Sequence, residues 1–147
     1  MTAHPPLWVV DASVAIKLFI TEKYSGETES FFEKVNLNSP DSLYVPDLFY
    51  TECANIFWKY VRRHGLPVFE AKKEMTALKQ LKLRTVSGAE LMERALELAL
   101  RWNITAYDAS YLALAERLKA SLVTADEKLI KRIKSPNLRM EWIGEIS

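Results

Sequence analysis

The chain has 147 residues, 49% of them hydrophobic and 27% charged, with only 4 glycines and 6 prolines, and its 20 basic and 19 acidic residues leave a net charge of +1. That size suits a single domain spanning 1–147, able to bury roughly two-thirds of its unfolded surface, and the composition excludes disordered and low-complexity classes. Near-neutral charge excludes a strong global field for nucleic acid, so any such binding must use local patches; one cysteine, Cys53, excludes a disulfide framework or a multi-thiolate zinc site and suits a reducing cytosol.

From the start, Met1 to Pro6 lacks the basic, apolar pattern of a secretory signal, and no stretch approaches the roughly 20 apolar residues that span a bilayer. The expectation is a cytoplasmic protein without a membrane segment. A β-rich run over 7–10 ends at Asp11, and apolar spacing near 3.6 predicts helices over 13–20 and 25–35. A strand over 43–45 leads through Pro46-Asp47, a helix start, into a helix over 48–63. Gly65-Leu66-Pro67 separates that helix from one over 68–81, and a strand follows over 83–86. Ser87 and Glu90 read as a capping box for a helix over 89–102; a helix over 106–119 precedes strands over 121–123 and 140–143. Strands alternating with helices indicate βαβ units, a parallel sheet and right-handed crossovers.

Four carboxylates stand out against this pattern. Asp11 and Asp126 follow short strands, where α/β proteins place their ligands, while Asp108 opens a helix and Glu52 lies inside one. Three of them have a plain capping reading. Asp11 suits an N-cap for the helix after it; Asp108 fits the box opened by Thr105; and Thr124-Ala125-Asp126-Glu127 fits another, with Asp126 as a first-turn anion. Glu52 has no such role: it borders the apolar stripe Phe49, Cys53, Ile56 and Phe57, so it needs a cation, donors or metal, or else an escape to solvent towards Lys59.

Four segments together resemble the PIN-domain ribonucleases, especially the VapC-like toxins of toxin–antitoxin pairs. They are Val9-Val10-Asp11-Ala12-Ser13, Thr51-Glu52-Cys53-Ala54-Asn55, Thr105 to Ala115 around Asp108, and Leu122-Val123-Thr124-Ala125-Asp126. The resemblance covers nearly the whole chain and implies a three-layer α/β/α sandwich around a parallel sheet of about five strands. It implies that Asp11, Glu52, Asp108 and Asp126 meet at the carboxyl edge as catalytic residues and metal ligands, with Ser13 and Thr124 as accompanying hydroxyls that bond a phosphate, a metal-bound water or the helix N-termini, capping being their plainer role. It also implies a homodimer and a small antitoxin lying across the active-site groove.

Crowded carboxylates repel unless a cation neutralises them. Hard oxygen donors favour Mg2+ or Mn2+ over zinc, because His4 and His64 make no usable ligand set. Such an ion suits hydrolysis of RNA phosphodiester bonds. Cations around the pocket would then hold the RNA, and the candidate clusters are Lys59-Arg62-Arg63 and Lys128-Lys131-Arg132-Lys134; Lys17 stays unassigned. The aromatic side chains Phe31, Phe32, Phe49, Tyr50, Phe57, Trp58 and Tyr60 do not all fit inside one small core, and those left outside point to partner surface. Scattered glycines argue against dinucleotide and P-loop enzymes, and Ser13 replaces the second acid expected of an aspartyl phosphotransferase. The main alternative is a catalytically silent PIN-like module that binds RNA or protein.

Overall fold

The computed structural model describes residues 5–146, so His4 and the first residues of the N-terminal reading lie outside them. Five strands, β1 (Trp8–Val10), β2 (Leu43–Pro46), β3 (Arg84–Val86), β4 (Ser121–Thr124) and β5 (Met140–Trp142), form one sheet in the order β3-β2-β1-β4-β5. Every pairing is parallel. Among the described residues the helices are α1 (Ala12–Ala15), continued by a 3-10 turn over Ile16–Leu18, then α2 (Ser25–Asn38), α3 (Leu48–His64), α4 (Val68–Leu78), α5 (Gly88–Trp102), α6 (Ala106–Leu118) and α7 (Glu127–Arg132). With right-handed crossovers, the strand order reverses direction after β3, so the earlier helices cover one face and α5 to α7 the other. The result is the three-layer α/β/α sandwich.

Strand assignments follow burial. Val9, Val10, Val45 and Val123 have no exposed surface, as expected for a parallel sheet covered on both faces. Helix α6 is buried along Ala109-Ser110-Tyr111-Leu112-Ala113-Leu114-Ala115, and it packs across β1, β2 and β4, with α5 lying over it. A helix apolar on all sides belongs inside. On the other face α3 inserts Phe49, Cys53 and Phe57 and packs on α1 and α4.

Several local expectations change. The first helix is one α turn that tightens into 3-10 geometry, and the α7 segment is a helix that the apolar spacing did not mark because it is only 6 residues long. Ser87 is the N-cap of α5, but its side chain makes no capping bond; the backbone carbonyl of Ser87 accepts from Glu90 N–H instead. Gly65 does end α3, in the left-handed region at φ 70°, where a side chain is disfavoured. Phe31, Phe32, Phe49 and Phe57 are all buried while Trp58 is left largely exposed, so the aromatic set fills much of the core without all of it fitting inside. Edge-to-face contacts of Phe31 with Trp8 and with Phe32 explain how the large rings are accommodated.

Lys17 is buried and pairs with Glu22 at 2.8 Å, while the Tyr60 hydroxyl donates to the other Glu22 oxygen. This carboxylate therefore ties the 3-10 turn to α3, and its hydrogen bond pushes the Tyr60 hydroxyl up to about 12. Among the described residues no helix is long and apolar enough to cross a membrane.

Candidate active site

The order in which strands are added reverses between β1 and β4, parallel neighbours that share the register Val10↔Val123, and their carboxyl ends open the crevice where such sheets bind ligands. Asp11 leaves β1 there and donates its backbone N–H to Val123 O at 3.1 Å. Asp126 leaves β4 beside it. Helix α6 brings Asp108 in its first turn, and α3 brings Glu52 in its second. All four carboxylates line one cavity of about 260 Å³, together with Ser13, Asn55 and Lys59.

A hydrogen-bond lattice fixes the two strand ends against each other. Thr124 Oγ1 donates to Asp11 Oδ2 at 2.8 Å and accepts from Asp126 N–H at 3.1 Å. Ser13 N–H reaches Asp11 Oδ1 at 3.4 Å, and Ser13 Oγ accepts from Ala125 N–H at 3.3 Å. Thr124 is fully buried, so its hydroxyl serves Asp11 and the Asp126 backbone rather than an incoming phosphate. Asp126 itself, not Thr124, is the N-cap of α7, with Oδ1 accepting from Leu129 N–H at 3.1 Å. For Asp126 capping and facing the cavity are compatible because its second oxygen takes no part in the cap; both Asp11 oxygens accept a hydrogen bond, and each keeps a further lone pair. Asp108 is different: Thr105 Oγ1 caps α6 by accepting the Asp108 N–H at 3.1 Å, which leaves the Asp108 side chain without a capping task.

Glu52 has a partner that spacing alone did not indicate. The Tyr111 hydroxyl, from α6, donates to Glu52 Oε1 at 2.6 Å across 59 residues of sequence. Tyr111 follows Asp108 by one helical turn, so α6 supplies one acid and orients another. Asn55 and Lys59, three and seven residues past Glu52, share its helical face and reach the same cavity.

Three of the acids are held above the ordinary carboxylate range. Burial is the first cause for Asp11, opposed by the Thr124 and Ser13 hydrogen bonds and reinforced by the charge of Asp126. Burial also leads for Glu52, against the Tyr111 hydrogen bond, with the charges of Asp11 and Asp108 adding to it. Asp108 is pushed up to about 6 by burial and then by the charges of Asp11 and Asp126. Cys53, on the core side of α3, has its thiol pushed up by burial and by Glu52 and Asp11, which leaves it an inert apolar side chain.

Among the described residues no three His, Cys, Asp or Glu side chains are gathered tightly enough to form a ready cage for an ion. The four carboxylates do wall the same cavity, and the charges of their neighbours there help to raise the proton affinity of Asp11, Glu52 and Asp108. The shared cavity and the electrostatics are the stronger indication, because carboxylate rotamers adjust readily around a cation whereas backbone placement does not. The donor set, all hard oxygen atoms, fits Mg2+ or Mn2+.

Removing the Tyr111 hydroxyl leaves Glu52 without its donor. Tyr111→Phe should cost about 1–3 kcal/mol of stability. Urea unfolding checks this: a loss of that size is the expected result, and an unchanged midpoint would show that Glu52 is held by something else.

The PIN domain family model matches residues 8–135 of the chain. Ribonuclease VapC3 of Pyrobaculum aerophilum is 35% identical over 126 residues, 84% of this chain and 92% of that relative. Ribonuclease VapC9 of Mycobacterium tuberculosis is 32% identical over 121 residues, covering 82% and 87% of the two chains. Among solved structures, PAE2754 from Pyrobaculum aerophilum superposes with a TM-score of 0.69 at 23% identity over 95% of this chain and 85% of its own. VapBC2 from Rickettsia felis, bound to a DNA fragment from its promoter, gives 0.68 at 15% identity over 92% and 98%. At those identities the two structures speak for the fold alone.

Proposed function

The chain belongs to the PIN-domain family, and we propose that it acts as a single PIN unit, a divalent-metal-dependent endoribonuclease and the toxin of a toxin–antitoxin pair. The observation that carries this reading is the meeting of Asp11, Glu52, Asp108 and Asp126 around one cavity at the carboxyl edge of the sheet. Relatives at 35% and 32% identity bear the name ribonuclease VapC.

In this reading Asp11 and Asp108 are direct ligands of Mg2+ or Mn2+, Asp126 a further ligand, and Glu52 a ligand or the acceptor that orients the attacking water. When bound, the ion supplies Lewis acidity towards water and the scissile phosphate. The protein's own part is positioning. Thr124 and Ser13 hold the Asp11 carboxylate, Tyr111 holds that of Glu52, and α7 fixes one oxygen of Asp126 through Leu129 N–H. The raised proton affinity of Glu52 suits it to accept a proton from water. Hydrolysis then places the proton on the leaving 3′ oxygen and leaves a 5′ phosphate.

Partner contacts of a homodimer and of an antitoxin fit the apolar side chains left outside the core. On α5, Leu96 and Leu100 stand 58% and 75% exposed, one turn apart, and Phe69 at the start of α4 is 76% exposed. A cytoplasmic site of action follows from an RNA substrate and suits the free, buried Cys53.

The test is cleavage of a mixed RNA pool by protein freed of any copurified antitoxin. Cleavage with Mg2+ or Mn2+, abolished by chelator and restored by metal, is the expected result. Binding of RNA without cleavage under every divalent ion would instead favour a silent PIN module.

A further inference from the structure

A second cavity, also of about 260 Å³, adjoins the first and shares two of its walls, Asp108 and Asp126. Its remaining lining comes from the loop Asn103-Ile104-Thr105 between α5 and α6 and from Lys128, Leu129 and Arg132 on α7. The acids therefore stand in the middle of a trough rather than at its end. Lys59 flanks it on one side and Lys128 with Arg132 on the other.

We propose that single-stranded RNA lies along this trough, and that the cavity beside Asp108 and Asp126 holds the nucleotide next to the scissile bond, its phosphate on Lys128. The proposal rests on the ribonuclease reading above and extends it to where the strand runs and which cations hold it. An acidic centre repels phosphate, so affinity must come from cations just outside it. Lys128 is exposed and makes no ion pair among the described residues, which leaves its charge available. Arg132 instead spends Nη1 on the carbonyl of Asn103 at 2.8 Å, bracing the loop that forms the far wall. That wall offers the amide of Asn103 and the hydroxyl of Thr105, and Ile104 and Leu129 add an apolar side suited to a base or ribose turned out of a stack.

The geometry also separates the basic cluster of the last helix into two groups. Lys131 lines a different cavity, with Trp142 and Glu145, and Lys134 lines neither wall of the trough. A merely solvated basic face would make Lys128, Lys131 and Lys134 equivalent.

The experiment measures binding of a short fluorescein-labelled RNA of randomised sequence to Asp11→Asn protein, in which cleavage is disabled, across a series of salt concentrations. Adding Lys128→Ala should weaken binding several-fold and reduce the slope of log K against log salt by about 0.7, the value for one lost phosphate contact on a single strand. Lys131→Ala with Lys134→Ala should leave affinity and slope nearly unchanged. In the cleavage-competent chain, Lys128→Ala should raise KM with kcat largely kept, and an unchanged melting temperature shows that the exposed substitution has not disturbed the fold. Equal losses from the Lys131/Lys134 pair, or a Lys128→Ala protein whose affinity, slope and KM match the parent, would overturn the proposal. If the parent cleaves RNA and KM ignores Lys128, only the trough is wrong; if the parent cleaves nothing, the ribonuclease reading fails first.

Discussion

Asp11→Asn should reduce RNA cleavage at least about a hundredfold, because even partners one step removed from a metal cost 10–100-fold when lost and Asp11 lines the pocket, coupled by charge to each of the other three acids. The fold should survive. Asparagine caps a helix as well as aspartate does, so Ser13 N–H keeps its acceptor, and the Thr124 hydroxyl loses only one of its two bonds within the lattice. Burial and the charge of Asp126 make the ionised Asp11 costly, so neutralising it removes a penalty from the folded state. Cleavage assays beside urea unfolding separate the outcomes: lost activity with stability kept or raised is expected. Near-parental cleavage would remove Asp11 from the chemistry.

The second large effect is a pH-dependent stabilisation by divalent metal. Asp108 titrates at about 6 in the fold against 3.8 for a free carboxylate. Its folded value is raised, so the folded chain holds more protons than the unfolded one between those values. Without metal, stability therefore falls as pH rises through that window and levels off above it. Asp11 and Glu52 shift in the same direction and add to the trend. A cation favours the ionised forms and reverses the balance, since its ligands must be deprotonated to bind it. At a hundred times its dissociation constant Mn2+ should stabilise by about 2.7 kcal/mol, a rise of roughly 5–10 °C for a domain of this size. That rise should be present at pH 7.5 and nearly absent at pH 5. Asp108→Asn should show the opposite pattern, a higher melting temperature without metal and little further gain with it. Thermal unfolding with and without Mn2+ at the two pH values checks both; a shift that is the same at pH 5 and 7.5 would mean that the ion binds elsewhere.

The sheet was legible because parallel strands buried on both faces read as short apolar runs, and Leu7 to Val10, Leu43 to Val45 and Ser121 to Val123 have no competing helical period. Placement of the acids was legible at Asp11 and Asp126, since a residue that ends a parallel strand is committed to one edge. What spacing does not carry is contact between distant helices. Tyr111 sits in the most apolar stretch of α6, where an aromatic reads as core, and only the tertiary fold, which brings one residue of α6 to one of α3 across the sheet, reveals that its hydroxyl meets Glu52. Lys17 was equally silent, because its partner Glu22 lies in an irregular loop with no periodicity. Basic residues were visible as clusters but not as directions: Lys128 and Lys131 are three apart on α7, yet they line different cavities. Capping boxes were the least transferable signal, since Ser87 has the sequence of one without the bond and Asp126 makes the bond assigned to its neighbour Thr124.

The central claim is that these four acids hold a divalent cation, and anomalous scattering from crystals grown with Mn2+ addresses it most directly. The account predicts a peak in the cavity with oxygen atoms of Asp11 and Asp108 about 2.0–2.3 Å away, in the range for small hard cations, and with Asp126 or Glu52 completing the site directly or through water. A well-ordered cavity at millimolar Mn2+ with no peak beside these carboxylates would contradict it.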